Sequence, residues 1–160
     1  MPDDAVTVVL PCLNEADSLP AVLAAIPPGY RALVVDNNST DGTADVARRH
    51  GAEVVSEKQP GYGAAVHAGV SAARTVVVAV LDGDGSLNPA DLPRLVAELD
   101  RGADMVTGRR RPEPGLRWPW HARLGTAAVC WRLRTRHRLA VYDIAPMRVV
   151  RDDERGLVAW

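Results

Sequence analysis

The residues of this chain that could do chemistry gather where apolar runs stop. The run VVVAVL, Val76–Leu81, passes directly into Asp82–Gly83–Asp84–Gly85–Ser86. Carboxylates at the mouth of a dry strand are costly to keep charged unless something neutralises them, and the partner expected here is a cation. A divalent ion on Asp84 would bridge two phosphate oxygens of a ligand. Gly83 and Gly85 would let the backbone approach closely and turn sharply. Two more polar clusters are placed the same way: PCLNEA (Pro11–Ala16) follows Val6–Leu10, and DNNSTDGT (Asp36–Thr43) follows Ala32–Val35. Any one of them would pass for a turn, because Asn, Asp, Gly and Ser supply caps and left-handed backbone. Three on one edge, each with acidic side chains, point instead to a binding cleft.

That edge exists only if the elements alternate. Val6–Leu10, Ala32–Val35, Glu53–Val55, Val76–Leu81 and Asp104–Thr107 read as strands, short and β-branched between Gly, Pro, Asp or Asn. Ser18–Ile26, Ala44–His50, Ala64–Ala73 and Asp91–Arg101 carry apolar residues three and four apart and read as helices. Thr40 or Asp41 can cap the second helix, and Asn88 the fourth, with Pro89 at its first position. Strict alternation predicts an α/β fold with a mainly parallel sheet flanked by helices on both faces. Such sheets bind ligands at the carboxyl ends of their strands.

Composition sets the limits. A chain of 160 residues fits one domain, and 47% hydrophobic with 24% charged residues excludes disorder. No run approaches the roughly 20 apolar residues of a membrane span, and the N-terminus lacks the pattern of a secretory signal. Cys12 and Cys130 form neither a disulfide framework nor a CxxC pair and suit packed thiols in a reducing cytoplasm. His50, His67, His121 and His137 show no metal spacing. The formal charge of −1 conceals a split: 6 Lys plus Arg against 14 Asp plus Glu in residues 1–100, and 13 against 6 in residues 101–160. An acidic part that handles a metal and a basic part that meets an anion would produce it, as would solvated surface charge. A dinucleotide fingerprint is missing after the first strand, and the partial match Gly61–Tyr62–Gly63 has Val66 where a third glycine belongs. No Gly-rich phosphate loop ending in Lys-Ser or Lys-Thr occurs either, so nucleotide phosphates would need the metal.

At this point the motifs reach a family. VTVVLPCLNEADSLPAVL, VVDNNSTDGTADVARRHGAEVV, GYGAAVHAGVSAA, VVVAVLDGDGSLNPADLPRLV and GADMVTGRR, in this order, resemble the family 2 glycosyltransferases with the GT-A fold. Within that family they are similar to the dolichyl- and polyprenyl-phosphate mannosyl- and glucosyltransferase branch, over about residues 5–150. The resemblance implies inverting transfer of a sugar from a UDP- or GDP-sugar donor, with Mg2+ or Mn2+ at a D-x-D motif that stands here as Asp82–Gly83–Asp84. It implies that Pro11, Asn14 and Glu15 line the nucleoside pocket, that Asp36 accepts a hydrogen bond from base or ribose, and that Asp82 sits near the ribose with Asp84 on the metal. Gly61 and Gly63 match a glycine turn beside the nucleotide. Arg110 matches the arginine of a G-S-R motif whose serine is replaced by Arg109, which leaves open which arginine meets the diphosphate. YDIAPMRV (Tyr142–Val149) resembles an acceptor-side segment, giving Asp143 and Arg148, with Met147 in an aromatic position.

The chemistry is consistent with that assignment. Loss of a nucleoside diphosphate builds negative charge on the leaving phosphate, which a cation and an arginine stabilise in the transition state. A hydroxyl acceptor needs a general base, for which Asp143 is the candidate. A lipid phosphate, with its second pKa near 6, needs none, and Arg132, Arg134, Arg136 and Arg138 could hold it or merely form a solvated helix face. Trp118, Trp120 and Trp131 suit either a core or an acceptor loop at a membrane surface. The expected acceptor is a polyprenyl phosphate, the expected location cytoplasmic and peripheral on the membrane, and no nucleic-acid partner is expected. The sequence divides into a donor-binding part, about 1–110, and a short acceptor part, about 111–160, as in a compact enzyme or a truncated one. A noncatalytic nucleotide-sugar-binding domain and a sugar-phosphate nucleotidyltransferase remain alternatives, although PCLNEA lacks the glycine-rich loop and basic residue of the latter.

Overall fold

A computed structural model describes residues 6–108, 131, 135 and 147–151. The chain divides into two units, residues 1–106 with 147–160, and residues 107–146. In the second unit the Thr135 hydroxyl donates to the Trp131 carbonyl, one helical turn back, and Trp131 is 68% exposed.

The elements run β1 (Val6–Cys12), α1 (Leu19–Ala24), β2 (Arg31–Asp36), α2 (Thr43–Arg49), β3 (Glu53–Ser56), α3 (Tyr62–Ala72), β4 (Val77–Val80), α4 (Leu92–Asp100), β5 (Met105–Thr107) and β6 (Arg148–Arg151). The sheet order is β3-β2-β1-β4-β6-β5. β1 lies between β2 and β4, parallel to both, with Val9 opposite Leu33 on one side and Val80 on the other. From β1 the chain winds outward through β2 and β3, then returns to place β4 on the other side. This reversal opens a crevice between the carboxyl ends of β1 and β4, where sheets of this kind receive ligands.

The five strands and four helices read from the sequence are all present, with ends shifted by a few residues. The sixth strand departs from the expected parallel alternation. β6 runs antiparallel to β4, with Val150 opposite Val78 and Arg148 opposite Val80. Its sequence RVVR is too short to show a period. It lies in the part of the sequence expected to face the acceptor, yet it joins the sheet that carries the donor-side loops.

Both sheet faces are dry. Val8, Leu10, Val34, Ala79, Leu81 and Val149 pack with Leu19 and Val22 of α1, Ala47 of α2, and Leu92 and Leu99 of α4. On the opposite face Val9, Leu33, Val35, Val78 and Val80 meet Ala65 of α3. There α3 approaches so closely that a methyl group at Gly69 would stand 2.3 Å from a Val9 side-chain carbon. The entry to α4 follows its sequence signals: the Asn88 side chain accepts from the Ala90 N–H, Pro89 opens a 3-10 turn, and Leu92, Leu95, Val96 and Leu99 form the inward stripe. Rigid strands packed on both sides hold the loops at their ends in fixed relation.

Candidate active site

The loops after β1, β2 and β4 meet at one rim, held by side chains bonded to backbone. Glu15 N–H donates to the Thr43 hydroxyl at 2.9 Å, and Ala16 N–H to the Asp41 carboxylate at 3.0 Å. Asp41 also accepts from Thr43 N–H and from the Thr43 hydroxyl. It therefore serves α2 as a cap from one residue before Gly42, while Thr40 turns its hydroxyl to Asn14. These bonds, the Thr43 hydroxyl first, hold the Asp41 carboxyl below the usual range.

Sequence-predicted residues fall along this rim with different degrees of freedom. Pro11 is half-buried in β1 opposite Val35. Asn14 is exposed with φ 59°, and its side-chain oxygen takes the Thr40 N–H at 2.7 Å, so its amide stitches two loops together. The Asp36 carboxylate accepts from Ser39 N–H at 3.1 Å. The Ser18 hydroxyl lies 2.9 Å from both the Glu15 carboxylate and the Gly83 carbonyl, and its single proton can serve either. Gly61 opens α3 at φ 122°, and Gly63 has open space where a side chain would stand. Arg109, Arg110 and Asp143 lie outside the described residues, as do Cys130, Trp118, Trp120, His121, His137 and the arginines 132, 134, 136 and 138.

The Asp82–Gly83–Asp84 turn sits beside the crevice. A methyl group at Gly83 would come within 2.6 Å of the Cys12 sulfur, so only glycine lets this turn lie on the end of β1. Gly85, at φ 76°, completes it. Asp82 is half-buried and accepts a hydrogen bond from the Tyr62 hydroxyl at 3.1 Å. Asp84 is exposed, with one carboxylate oxygen taking the Ser86 N–H at 2.9 Å. Among the described residues no group of three or more His, Cys, Asp or Glu side chains could enclose a metal. An ion there would have Asp84 plus ligand phosphates and water, the way Mg2+ is usually bound.

Buried groups register the charge of this rim. Burial and then the charges of Glu15, Asp36, Asp41 and Asp82 push the Cys12 thiol up to about 12. Four carboxylates thus act on one point under the crevice, a field that attracts cations and repels a bare diphosphate. The Tyr62 hydroxyl is also raised to about 12, by burial, the Asp82 charge and the bond to Asp82, with Arg148 acting in the opposite direction. Tyr62 therefore stays a donor at neutral pH.

Sequence reasoning missed two residues. Asn37 is only 6% exposed; its amide donates to the carbonyls of Glu57 at 2.9 Å and Gln59 at 2.7 Å and accepts from Gly61 N–H at 2.8 Å. Within DNNSTDGT nothing distinguishes it from its neighbours. Tyr62, between two glycines, carries the hydroxyl that meets Asp82. A separate concavity of about 430 Å³, lined among others by Ile26, Tyr30 and His50, lies at the amino-terminal edge of β2 and β3, away from these loops. His50 itself pairs with the Val46 carbonyl at 2.9 Å, closing α2.

Comparison with known proteins bears on this rim. Residues 7–151 match the family model "Glycosyl transferase family 2". An uncharacterised glycosyltransferase of Mycobacterium tuberculosis is 75% identical over 151 residues, covering 94% of this chain and 69% of that protein. A dolichyl-phosphate hexose transferase of Haloferax volcanii is 34% identical over 110 residues, covering 67% of this chain and 48% of that protein. Glucosyl-3-phosphoglycerate synthase from M. tuberculosis, solved with Mn2+, UDP-glucose and phosphoglyceric acid, superposes with a TM-score of 0.75 at 25% identity, covering 92% of this chain. This chain spans 57% of that structure's length.

Proposed function

This chain belongs to glycosyl transferase family 2 and has the GT-A fold, and we propose that it moves a sugar from a UDP- or GDP-sugar to a polyprenyl phosphate with the help of a divalent metal. The observation that carries the proposal is the Asp82–Gly83–Asp84 turn beside the β1/β4 crevice, with Asp84 exposed and Asp82 held by Tyr62. In this reading Asp84 holds Mg2+ or Mn2+ together with the donor diphosphate. Bound there, the metal supplies Lewis-acid stabilisation of the leaving phosphate. Pro11, Glu15 and Asp36 border the nucleoside, Asn14 keeps the first two loops together, and Gly61 and Gly63 let α3 begin beside the nucleotide. The acidic rim explains why a metal is required: four carboxylates would otherwise repel the diphosphate. Mn2+ and a UDP-sugar in the solved neighbour support a UDP donor.

The roles of Arg110 as diphosphate contact and Asp143 as base for a hydroxyl acceptor rest on the sequence resemblance. A phosphate acceptor is already a nucleophile at neutral pH, so Asp143 would then be dispensable. Support for a lipid phosphate comes from the excess of 13 basic over 6 acidic residues in 101–160 and from the dolichyl-phosphate hexose transferase among the relatives. No helix among the described residues is long and apolar enough to cross a membrane. In this reading a lipid acceptor is met at the membrane surface, on the cytoplasmic side where nucleotide sugars are expected.

The acceptor is tested by transfer of labelled sugar from UDP- and GDP-sugars to polyprenyl phosphate vesicles, with phosphoglyceric acid and a soluble sugar alcohol as rivals. Product on the lipid should predominate and fall as salt rises from about 0.05 to 0.5 M, because the Debye length shrinks to a few ångströms. Transfer to a soluble acceptor with none to lipid overturns the lipid assignment, and donor binding without any transfer favours a noncatalytic nucleotide-sugar-binding domain.

A further inference from the structure

We infer that Tyr62 is a positioning residue for the donor site: its hydroxyl, delivered by the first turn of α3, fixes the orientation in which Asp82 meets the nucleotide. The inference rests on the donor reading above and assigns a role to a residue outside the polar clusters. Asp82 follows β4 by two residues and enters the Asp82–Gly83–Asp84 turn where the strand ends. The neighbouring Asp84 differs, being locked by the Ser86 N–H. Asp82 takes a hydrogen bond from a different element, the Tyr62 hydroxyl at 3.1 Å.

The tyrosine is itself held from behind. Gly61 N–H donates to the buried Asn37 side chain at 2.8 Å, and Asn37 N–H donates to the Cys12 carbonyl at 2.9 Å. Further along, α3 is pinned to β1 and β2 at Gly69. A continuous path thus runs from the end of β1 through Asn37 and Gly61 to Tyr62 and across to the end of β4, spanning the crevice. Arg148, opposite Val80 on β6, places a positive charge within influence of the same hydroxyl. Tyr62 is 47% exposed, so its ring faces the rim, and removing its hydroxyl leaves the core intact.

Tyr62→Phe keeps the ring and loses one hydrogen bond to a carboxylate. The full chain is titrated with UDP and GDP in the presence of Mn2+, and transfer kinetics are measured with the preferred nucleotide sugar. Dissociation constant and donor KM should rise about tenfold, in line with a bond to a charged group, with kcat within about twofold. In an Asp82→Ala background the same change should cost less than about twofold, because the partner is gone. The melting temperature of unliganded Tyr62→Phe should match wild type, and Tyr30→Phe, at the opposite edge of the sheet, should leave all values unchanged. Wild-type affinity in Tyr62→Phe, or the same loss with and without Asp82, overturns the inference while leaving the donor reading in place. Wild type that binds neither nucleotide overturns the donor reading and this inference with it.

Discussion

Asp84→Asn lowers turnover about a thousandfold at saturating Mn2+, equivalent to about 4 kcal/mol of lost transition-state stabilisation. The change isolates charge from shape. An asparagine oxygen can still accept the Ser86 N–H that Asp84 takes at 2.9 Å, so the turn keeps its geometry. The side chain is exposed, and no core packing depends on it. The melting temperature should stay within about 2 °C of wild type, as for surface substitutions of about 0.5 kcal/mol. Without metal the variant should melt slightly higher than wild type, because it relieves repulsion from Asp82 and the other rim carboxylates. Asp143→Asn is the companion: a small loss fits a phosphate acceptor, and a comparable loss fits a hydroxyl that needs a base. Turnover near wild type in Asp84→Asn, or activity lost only through unfolding, would mean the aspartate pair is architectural.

The second large effect is on stability. Asn37→Ala removes one acceptor and two donors from a side chain that is 6% exposed, taking that partner from Gly61 N–H and the Gln59 carbonyl and leaving the Glu57 carbonyl with the longer Asn38 contact. At about 1 kcal/mol for each bond, the loss is about 3 kcal/mol, moderated where rim water reaches the freed groups. A domain of this size should melt about 6–10 °C lower. Because Asn37 also sets Gly61, and through it Tyr62, donor affinity should fall in the residual folded protein. Asn38→Gly is the control. The Asn38 amide makes longer contacts, 3.4 and 3.2 Å, and glycine accepts its φ of 69° without strain, so stability should change by less than about 0.5 kcal/mol. Thermal melts of both variants decide; equal melting temperatures would remove Asn37 from its place as the joint between the loops after β2 and β3.

Asn37 also marks how far the sequence could be read. The strands were legible because Val6–Leu10, Ala32–Val35 and Val76–Leu81 are continuous β-branched or aliphatic runs, and a sheet buried on both faces demands such runs. The start of α4 was legible because Asn88 and Pro89 act within two residues of themselves. The rim was legible as a place, since strand order forces the loops after β1, β2 and β4 to one edge. What each rim side chain touches was not. The side-chain oxygen of Asn14 accepts from Thr40, 26 positions away, a contact no local pattern shows. Asn37 and Asn38 are adjacent and identical in type, yet one is buried and the other exposed, a difference set by where β3 ends rather than by local propensity. Tyr62 gave no signal because its partner lies 20 residues on, across the crevice. β6 escaped because the four residues RVVR are too few to carry a period.

The central claim is that the rim binds a nucleoside diphosphate through a metal on Asp84, and calorimetric titration of the full chain with UDP and GDP, with Mn2+ and again with EDTA, tests it most directly. The account predicts binding of at least one nucleotide that weakens by about tenfold or more when the metal is removed, since the ion is the largest favourable charge in an otherwise acidic site. Equal affinity with and without metal, or no binding of either nucleotide, would contradict it.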